Sequence, residues 1–430
     1  MPVLTMGRAL RAWHRFPLAL LVCLSASAMA QPAAPALGAD LDALVAHALS
    51  QHPSIQAGGQ DVDAAHARAD AVGALPDPRF QLELMDATNA MSGRSASLLP
   101  GEVGTTRYRI IQPLPFPGKL GLRTEIARAE ATRSEAALDA SRVALTARVK
   151  RAFAQHYLAN HQARIIRENL DLLDALEPIV LTRYGVGIVP QQDAIQVQSE
   201  ITRLRVDLLD ARRRQQAAAA SLNAALARAA DAPLEVPDAL PATPARFALA
   251  ELRARMIERS PELARLRAGI SAASSARALT YRERYPDMAV GLTNNRPRDG
   301  VDTWDVMFEV TIPLQQSARR AREREAERRV DAAESRVADT LSTLEGQLGD
   351  AWAGFTASGE STQLLHATLL PQARAAYAAA EAGYETGRVN FNTLIEAERR
   401  VLSTRLALLN AQVERFVRLI DLELITGAVL

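Results

Sequence analysis

Cysteine is nearly absent: 430 residues contain one, Cys23. Beyond it the chain has no disulfide, no thiolate metal site and no cysteine nucleophile. Aromatic residues make up 4%, too few for the large mixed core of an α/β enzyme, whereas abundant alanine suits long helices in close contact. Charge of one sign is lacking too. Fifty Lys+Arg face 49 Asp+Glu, and residues 1–30 hold Arg8, Arg11 and Arg15 but no acid. Without that leader 47 bases face 49 acids, which argues against nucleic-acid and polybasic membrane-surface roles. Lysine occurs only as Lys119 and Lys150. Past the leader no run of about 18 apolar residues occurs, so no membrane-spanning helix is expected. No P-loop, H-E-x-x-H, G-x-S-x-G or dinucleotide glycine pattern is found, so neither an enzyme nor a cofactor is expected.

What is present begins with a leader. Arg8, Arg11 and Arg15 precede the apolar run Phe16 to Ala26, and Ala28-Met29-Ala30 fits an A-x-A processing site. These parts make a secretory signal peptide cleaved after Ala30. Cys23 follows Val22, which is not small, so it is read as part of the discarded leader rather than as a lipid anchor.

The chain also repeats itself. Shifted by 200 residues, Tyr184, Gly187, Val189, Ile195, Arg205, Leu208, Leu209 and Ala211 fall on Tyr384, Gly387, Val389, Ile395, Arg405, Leu408, Leu409 and Ala411. Pro113-Leu114 falls likewise on Pro313-Leu314. The first repeat is assigned to residues 31–230, with strands near 79–88 and 104–114 and a helical hairpin over 118–229. A linker at 231–246 holds Pro233, Pro237, Pro241 and Pro244. The second repeat, 247–430, has strands near 287–295 and 302–313 and a hairpin over 314–426. Each hairpin is far longer than an ordinary globular helix pair. Its apolar stripe runs through Leu145, Val149, Phe153, Ile166, Leu170 and Leu173 at spacings of three and four.

The strands discriminate most. Trp304, Val306, Phe308, Val310 and Ile312 alternate with Asp305, Met307, Glu309 and Thr311. Met288, Val290 and Leu292 do the same, as do Phe80, Leu82 and Leu84, and more weakly Tyr108 and Ile110 between arginines. Four strands of about ten residues fit a tilted bilayer crossing with one lipid face and one wet face. Four cannot close a barrel, and an open edge cannot sit in lipid, so such a sheet requires partners; three chains would give twelve strands. A small soluble sheet with one wet face is the alternative, against which the leader and the rod-like hairpins weigh.

At this point the sequence resembles the outer-membrane efflux family typified by TolC. The resemblance rests on the doubled unit, the strand-to-helix joints and the turns Arg183-Tyr184-Gly185-Val186-Gly187-Ile188-Val189 and Gly383-Tyr384-Glu385-Thr386-Gly387-Arg388-Val389. The joint Gln112-Pro113-Leu114-Pro115-Phe116-Pro117-Gly118-Lys119 is similar to the CzcC-type heavy-metal branch. The resemblance implies a homotrimer whose twelve-stranded outer-membrane β-barrel continues as a long α-helical coiled-coil barrel through the periplasm. It implies a passive export duct that works with a periplasmic adaptor and an inner-membrane pump of the RND class. It implies that Tyr184, Gly187, Val189, Tyr384, Gly387 and Val389 form adaptor-docking tips, and that Asp193 and Glu396 line a periplasmic aperture. Like charges crowded there need a counter-charge, and the neighbouring Arg183 and Arg388 are expected to latch the aperture through Arg–carboxylate contacts between hairpins. The acids alternate, since Gln196 matches Glu396 and Thr393 matches Asp193, and acids in a first helical turn also favour its positive end.

No ligand set for a metal is visible. His156 and His161 are five apart, a poor spacing for sharing a helix face, and are read as solvated or interfacial. Heavy-metal export therefore rests on the resemblance. A drug or protein-secretion duct and a periplasmic coiled-coil scaffold without a barrel are the competing readings.

Overall fold

The computed structural model describes residues 37–430; the leader, Cys23 and the cleavage point after Ala30 lie outside the described residues. α1 (Leu41–Gln51) ends at His52 because Pro53 follows, and a residue before proline is pushed out of the helical region. His52 Nδ1 then accepts the Ser54 N–H at 3.2 Å and opens α2 (Pro53–Val72). β1 (Arg79–Met85) follows; it is shorter than the alternation suggests because Asp86, at φ 51, turns the chain away. A 19-residue connection leads to β2 (Thr105–Leu114). α3 (Lys119–Gly185) is continuous for 67 residues, about 100 Å at 1.5 Å per residue. It runs through Pro178, past the point where the proline-free stretch ends. α4 (Gln191–Ala225) returns along it.

The second half repeats the order: α5 (Leu249–Arg259), α6 (Pro261–Arg282), β3 (Asp287–Pro297) and β4 (Thr303–Thr311). The second hairpin departs from the first. α7 (Gln316–Leu364) widens into one π turn over Leu365–Leu369 before α8 (Leu370–Glu385). Pro371 sits just after that turn, where its ring and missing N–H cannot be fitted into a regular ladder. α9 (Phe391–Thr426) closes the chain; Asn390 Oδ1 caps it by accepting the Thr393 N–H at 3.0 Å.

The four strands form one antiparallel sheet in the order β1-β2-β3-β4. The two repeats meet at its centre, where Ile110 faces Leu292. The helices joined to the strands keep the same order: α2 packs on α3, α3 on α6 and α6 on α7. All strand-to-helix joints lie at one end of the sheet. The connections 86–104 and 298–302 lie at the other. The long hairpins bury the stripe anticipated from the sequence, with Val149, Phe153 and Leu173 at most 1% exposed.

The linker explains the buried histidines. Proline lacks an N–H, so this stretch is rich in carbonyl acceptors with few donors of its own. Side chains from the helices supply the donors. Asn223 Nδ2 reaches Ala232 O at 2.9 Å, Arg415 reaches Pro244 O at 2.8 Å, and Trp352 Nε1 reaches Phe247 O at 3.0 Å. His161 Nε2 lies 3.1 Å from Pro237 O, which fixes Nε2 as the protonated nitrogen. His156 and His161 are thus interfacial but not solvated. Burial holds both below the usual histidine range, partly opposed by linker carbonyls.

The two lysines tie the repeats together. Lys119 Nζ bonds Asp287 at 2.8 Å and Tyr285 O at 2.9 Å. Lys150 Nζ bonds Glu423 at 2.6 Å, with both side chains under 15% exposed. Removing one partner of such a buried pair strands the other. Lys150→Ala should therefore destabilise the detergent-solubilised protein by about 3 kcal/mol. Lys150→Met with Glu423→Leu should recover most of that loss. Thermal melts of the three proteins check it.

Candidate functional site: sheet faces and hairpin tips

The sheet register divides side chains into two opposed faces. On one, Trp304, Val306, Phe308 and Val310 of β4 lie beside Asn294, Leu292, Val290 and Met288 of β3. Tyr108 and Ile110 of β2 and Leu82 and Phe80 of β1 extend the same face. It is apolar and open: Phe308 is 77% exposed, Trp304 67% and Phe80 65%. Ile312, just past β4, is exposed as well. Tyr108 and Trp304 sit toward the loop end, with the Arg296 guanidinium over the Tyr108 ring. The other face is polar. Arg107 bonds Asn295 at 2.8 Å and Glu83 at 3.3 Å; Arg109 bonds Thr293 at 3.1 Å. Met307 is on this face, its methyl over Gly291. Charge on one face and apolar bulk on the other suit a wall between water and lipid.

The joint after β2 is shaped by glycine. Gly118 has φ 90, a conformation that other residues resist. It lets the chain leave the Pro115-Phe116-Pro117 segment directly into α3. The Phe116 ring stacks on Tyr285 at 4.5 Å, and the Phe116 N–H donates to Asp287 at 2.8 Å.

At the far end of the hairpins both turns are built alike. Gly187 and Gly387 have φ 75 and 72, and their N–H groups bond Tyr184 O and Tyr384 O. The flanking side chains differ. Tyr184 is 42% exposed, whereas Tyr384 is buried against Phe391. Val189 and Val389 are half-buried, Val389 packing over Gly383. Val186 and Ile188 are exposed on the first tip, where the second carries Thr386 and Arg388.

Asp193, Glu396, Arg183 and Arg388 are brought to this end, but not in the arrangement anticipated. Arg183 lies 4.8 Å from the Tyr384 ring centre and donates to Tyr384 O at 3.3 Å. Among the described residues neither Arg183 nor Arg388 forms an ion pair. The inward-turned Tyr384 presents its ring and carbonyl to Arg183 where a carboxylate was anticipated, so the contact between the two tips within one chain is Arg–Tyr. Burial raises the Asp193 carboxyl, which in turn helps burial raise the Tyr384 hydroxyl against the lowering field of Arg183. Glu396 accepts from Asn392 at 3.0 Å, and Asn392 accepts from Gln196 across the hairpins at 2.8 Å.

A buried charged cluster two turns further in was missed by the sequence reading. Glu200 on α4 is 1% exposed and is gripped by Arg203 and by Arg399 of α9, the latter at 2.5 Å. Burial raises the Glu200 carboxyl, but these two guanidinium groups outweigh it and hold the group below its usual range. Glu398 is 2% exposed, and neither oxygen has a hydrogen bond of normal geometry; burial raises it above the usual range, opposed by the neighbouring Asn169 side chain and aided by the charge of Glu200. The sequence signal was slight: Glu200 and Arg203 are three apart, and Glu398 and Arg399 are adjacent in a helix full of such residues.

Among the described residues no helix is long and apolar enough to cross a membrane, and no cluster of His, Cys, Asp and Glu has metal-binding geometry. The pattern of the outer membrane efflux protein family matches residues 44–228 and again residues 252–428. The chain belongs to the outer membrane efflux protein family. The double match gives each repeat one copy of the family unit. Relatives agree along nearly the whole chain. The cobalt-zinc-cadmium resistance protein CzcC of Cupriavidus metallidurans is 23% identical over 368 residues, 85% of this chain and 84% of that protein. A membrane protein crystal structure from Pseudomonas aeruginosa superimposes with a TM-score of 0.78, 22% identity and 91% of each chain covered. The outer membrane protein VceC from Vibrio cholerae gives 0.75, 19% identity, and 90% and 96% coverage. The chain is thus an efflux channel of the outer membrane with a periplasmic helical part; the family is one of channels, not enzymes.

A carboxyl raised by burial costs stability as pH rises through its unfolded and then its folded pKa. Glu398→Gln should therefore stabilise the protein at neutral pH by about 1–3 kcal/mol. It should change little near pH 4, where the native group already holds a proton. Melts across that pH range decide; equal shifts at both ends would remove Glu398 as the source.

Proposed function

We propose that three copies of the chain close a twelve-stranded barrel and a continuous helical tunnel beneath it. The observation that carries this is the open sheet: an apolar face set in the membrane and two edge strands, β1 and β4, each paired on one side only. Unpaired backbone groups in hydrocarbon cost several kcal/mol each, so the edges must meet other strands. Trp304, Val306, Phe308, Val310 and Ile312 face lipid in this reading. In detergent the protein should have the mass of a trimer; a folded monomer would defeat the closure argument. Phe308→Arg should block assembly at a cost of about 2–4 kcal/mol, whereas Met307→Arg, on the polar face, should assemble. Equal behaviour of the two would overturn the facing.

The tunnel is a passive duct. A periplasmic adaptor docks on the tips around Tyr184, Gly187, Val189, Tyr384, Gly387 and Val389, and an inner-membrane RND pump drives transport. The likeness to the cobalt-zinc-cadmium resistance protein supports divalent heavy-metal cations as cargo. Asp193 and Glu396 line the periplasmic aperture, where carboxylates gather cations. Arg183 holds the tips closed through Tyr384, and Arg388 faces the docking partner.

Two measurements test this reading. In a planar bilayer, Arg183→Ala should raise single-channel conductance, and Asp193→Asn with Glu396→Gln should weaken cation preference. Cells that lose the gene should become more sensitive to cobalt, zinc and cadmium. Unchanged metal tolerance with new sensitivity to dyes would reassign the cargo to drugs.

A further inference from the structure

The helices beneath the sheet form a layer in the order α2-α3-α6-α7, so α2 and α7 are its two open edges. Each inner seam of this layer is held by a polar contact. His66 of α2 meets Glu135 of α3, and Arg284 at the end of α6 meets Glu323 of α7. Lys119 of α3 meets Asp287, just past α6.

The open edges carry opposite charges in surplus. α2 exposes Asp61, Asp63 and Asp70 against a single Arg68. The first fourteen residues of α7 hold six arginines, Arg319, Arg320, Arg322, Arg324, Arg328 and Arg329, against three glutamates. Ion pairs engage many of the ionic side chains elsewhere in the helices, though not Arg123 and Arg128 of α3 or Arg267 and Arg277 of α6 among the described residues. Among the described residues, however, Asp61, Asp63, Asp70, Arg320, Arg322 and Arg324 make no ion pair. Arg320 is in the field of Glu323, which already bonds Arg284 and Arg319.

Helix geometry places these charges in register. At about 3.6 residues per turn, the side of α2 turned from α3 is small: Ala64, Ala67 and Ala71, all exposed. The side of α7 turned from α6 holds Ser317 and Ala321 in its first turns, also exposed, and then Arg328, which is paired with Asp331 of its own helix. Asp63 and Asp70 lie on one flank of the small stripe of α2, with Asp61 and Arg68 on the other. Arg320 and Arg324 lie on one flank of the stripe of α7, with Arg322 and Glu325 on the other. α2 runs toward the sheet and α7 away from it. The flank bearing Asp63 and Asp70 and the flank bearing Arg320 and Arg324 therefore fall on the same side of the layer. Depth agrees too: Ala67 is five residues from the sheet end of α2, and Ala321 is five from that of α7.

We propose that the seam between neighbouring copies is an α2–α7 contact in which alanine and serine stripes meet and Asp63 and Asp70 of one copy pair with Arg320 and Arg324 of the next. The inference rests on the trimer reading above and adds the chemistry that orients it. The seam joins unlike edges, so it admits each copy in one orientation only and repels a copy that is reversed.

The test uses the full chain in detergent. Asp63→Arg with Asp70→Arg should lose the trimer, as should Arg320→Asp with Arg324→Asp. All four changes in one chain should restore it, which a mere folding defect would not allow. Ala67→Cys with Ala321→Cys should, on oxidation, give disulfide-linked dimers and trimers of the chain. These two positions are on opposite edges of one layer, so the link must be between copies. If the parent is a trimer but the charge reversals leave it intact and no linked species form, the seam is wrong while the trimer stands. If the parent is a monomer, both readings fall. Oxidative linkage in cells to a different polypeptide would assign the edges to another partner and overturn the proposal.

Discussion

The backbone groups on the outer edges of β1 and β4 govern this molecule. In water they would be satisfied by solvent. In an outer membrane they must be satisfied by protein, because hydrocarbon offers no donor or acceptor. In the proposed barrel one chain supplies a third of the wall with two raw edges, and the design that follows is a means of presenting those edges squarely. The helices below keep the strand order, so wherever the sheet is open the helical layer is open too. In the proposed assembly, closure in the membrane and closure beneath it are then one event.

Presenting the edges squarely requires the two repeats to act as a single piece. That requirement accounts for where the two lysines sit. A compact ammonium fits where a broad guanidinium does not, and both lysines of the chain are used at places where one repeat meets the other. Lys119 binds the strand-to-helix joints to each other, and Lys150 binds the long first helix to the last one. Arginine pairs along helix faces and also crosses between the repeats, as Arg151 does to Asp421 and Arg399 to Glu200.

Much of this was legible in the sequence. The period of two at Trp304 to Ile312 located both the strand and its apolar face, because that alternation is a direct imprint of one wet and one oily side. The stripe from Leu145 to Leu173 located the hairpin core for the same reason. Boundaries were less legible where a backbone event decided them: β1 stops at Asp86 through a positive φ, and the π turn at Leu365–Leu369 leaves no trace beyond Pro371. The tips show the same limit. The shared Tyr-x-x-Gly pattern announced two equal turns, but Tyr384 is buried against Phe391, where the first repeat has Gln191, a difference that lies just outside the shared pattern. Glu200 and Glu398 were hidden because a buried acid in a charge-rich helix looks like any other.

The proline-rich belt between the repeats is held in an unusual way. Many of its attachments run from a helix side chain to a main-chain oxygen of the belt, as with Arg415, Asn223 and His161. Main-chain oxygens are the same whatever residue bears them. The grip is therefore blind to the belt's own side chains, apart from the few, such as Leu234 and Leu240, that pack on the core. Substitutions can accumulate along most of this stretch without loosening it, while the residues that hold it, scattered over distant helices, carry the constraint in its place.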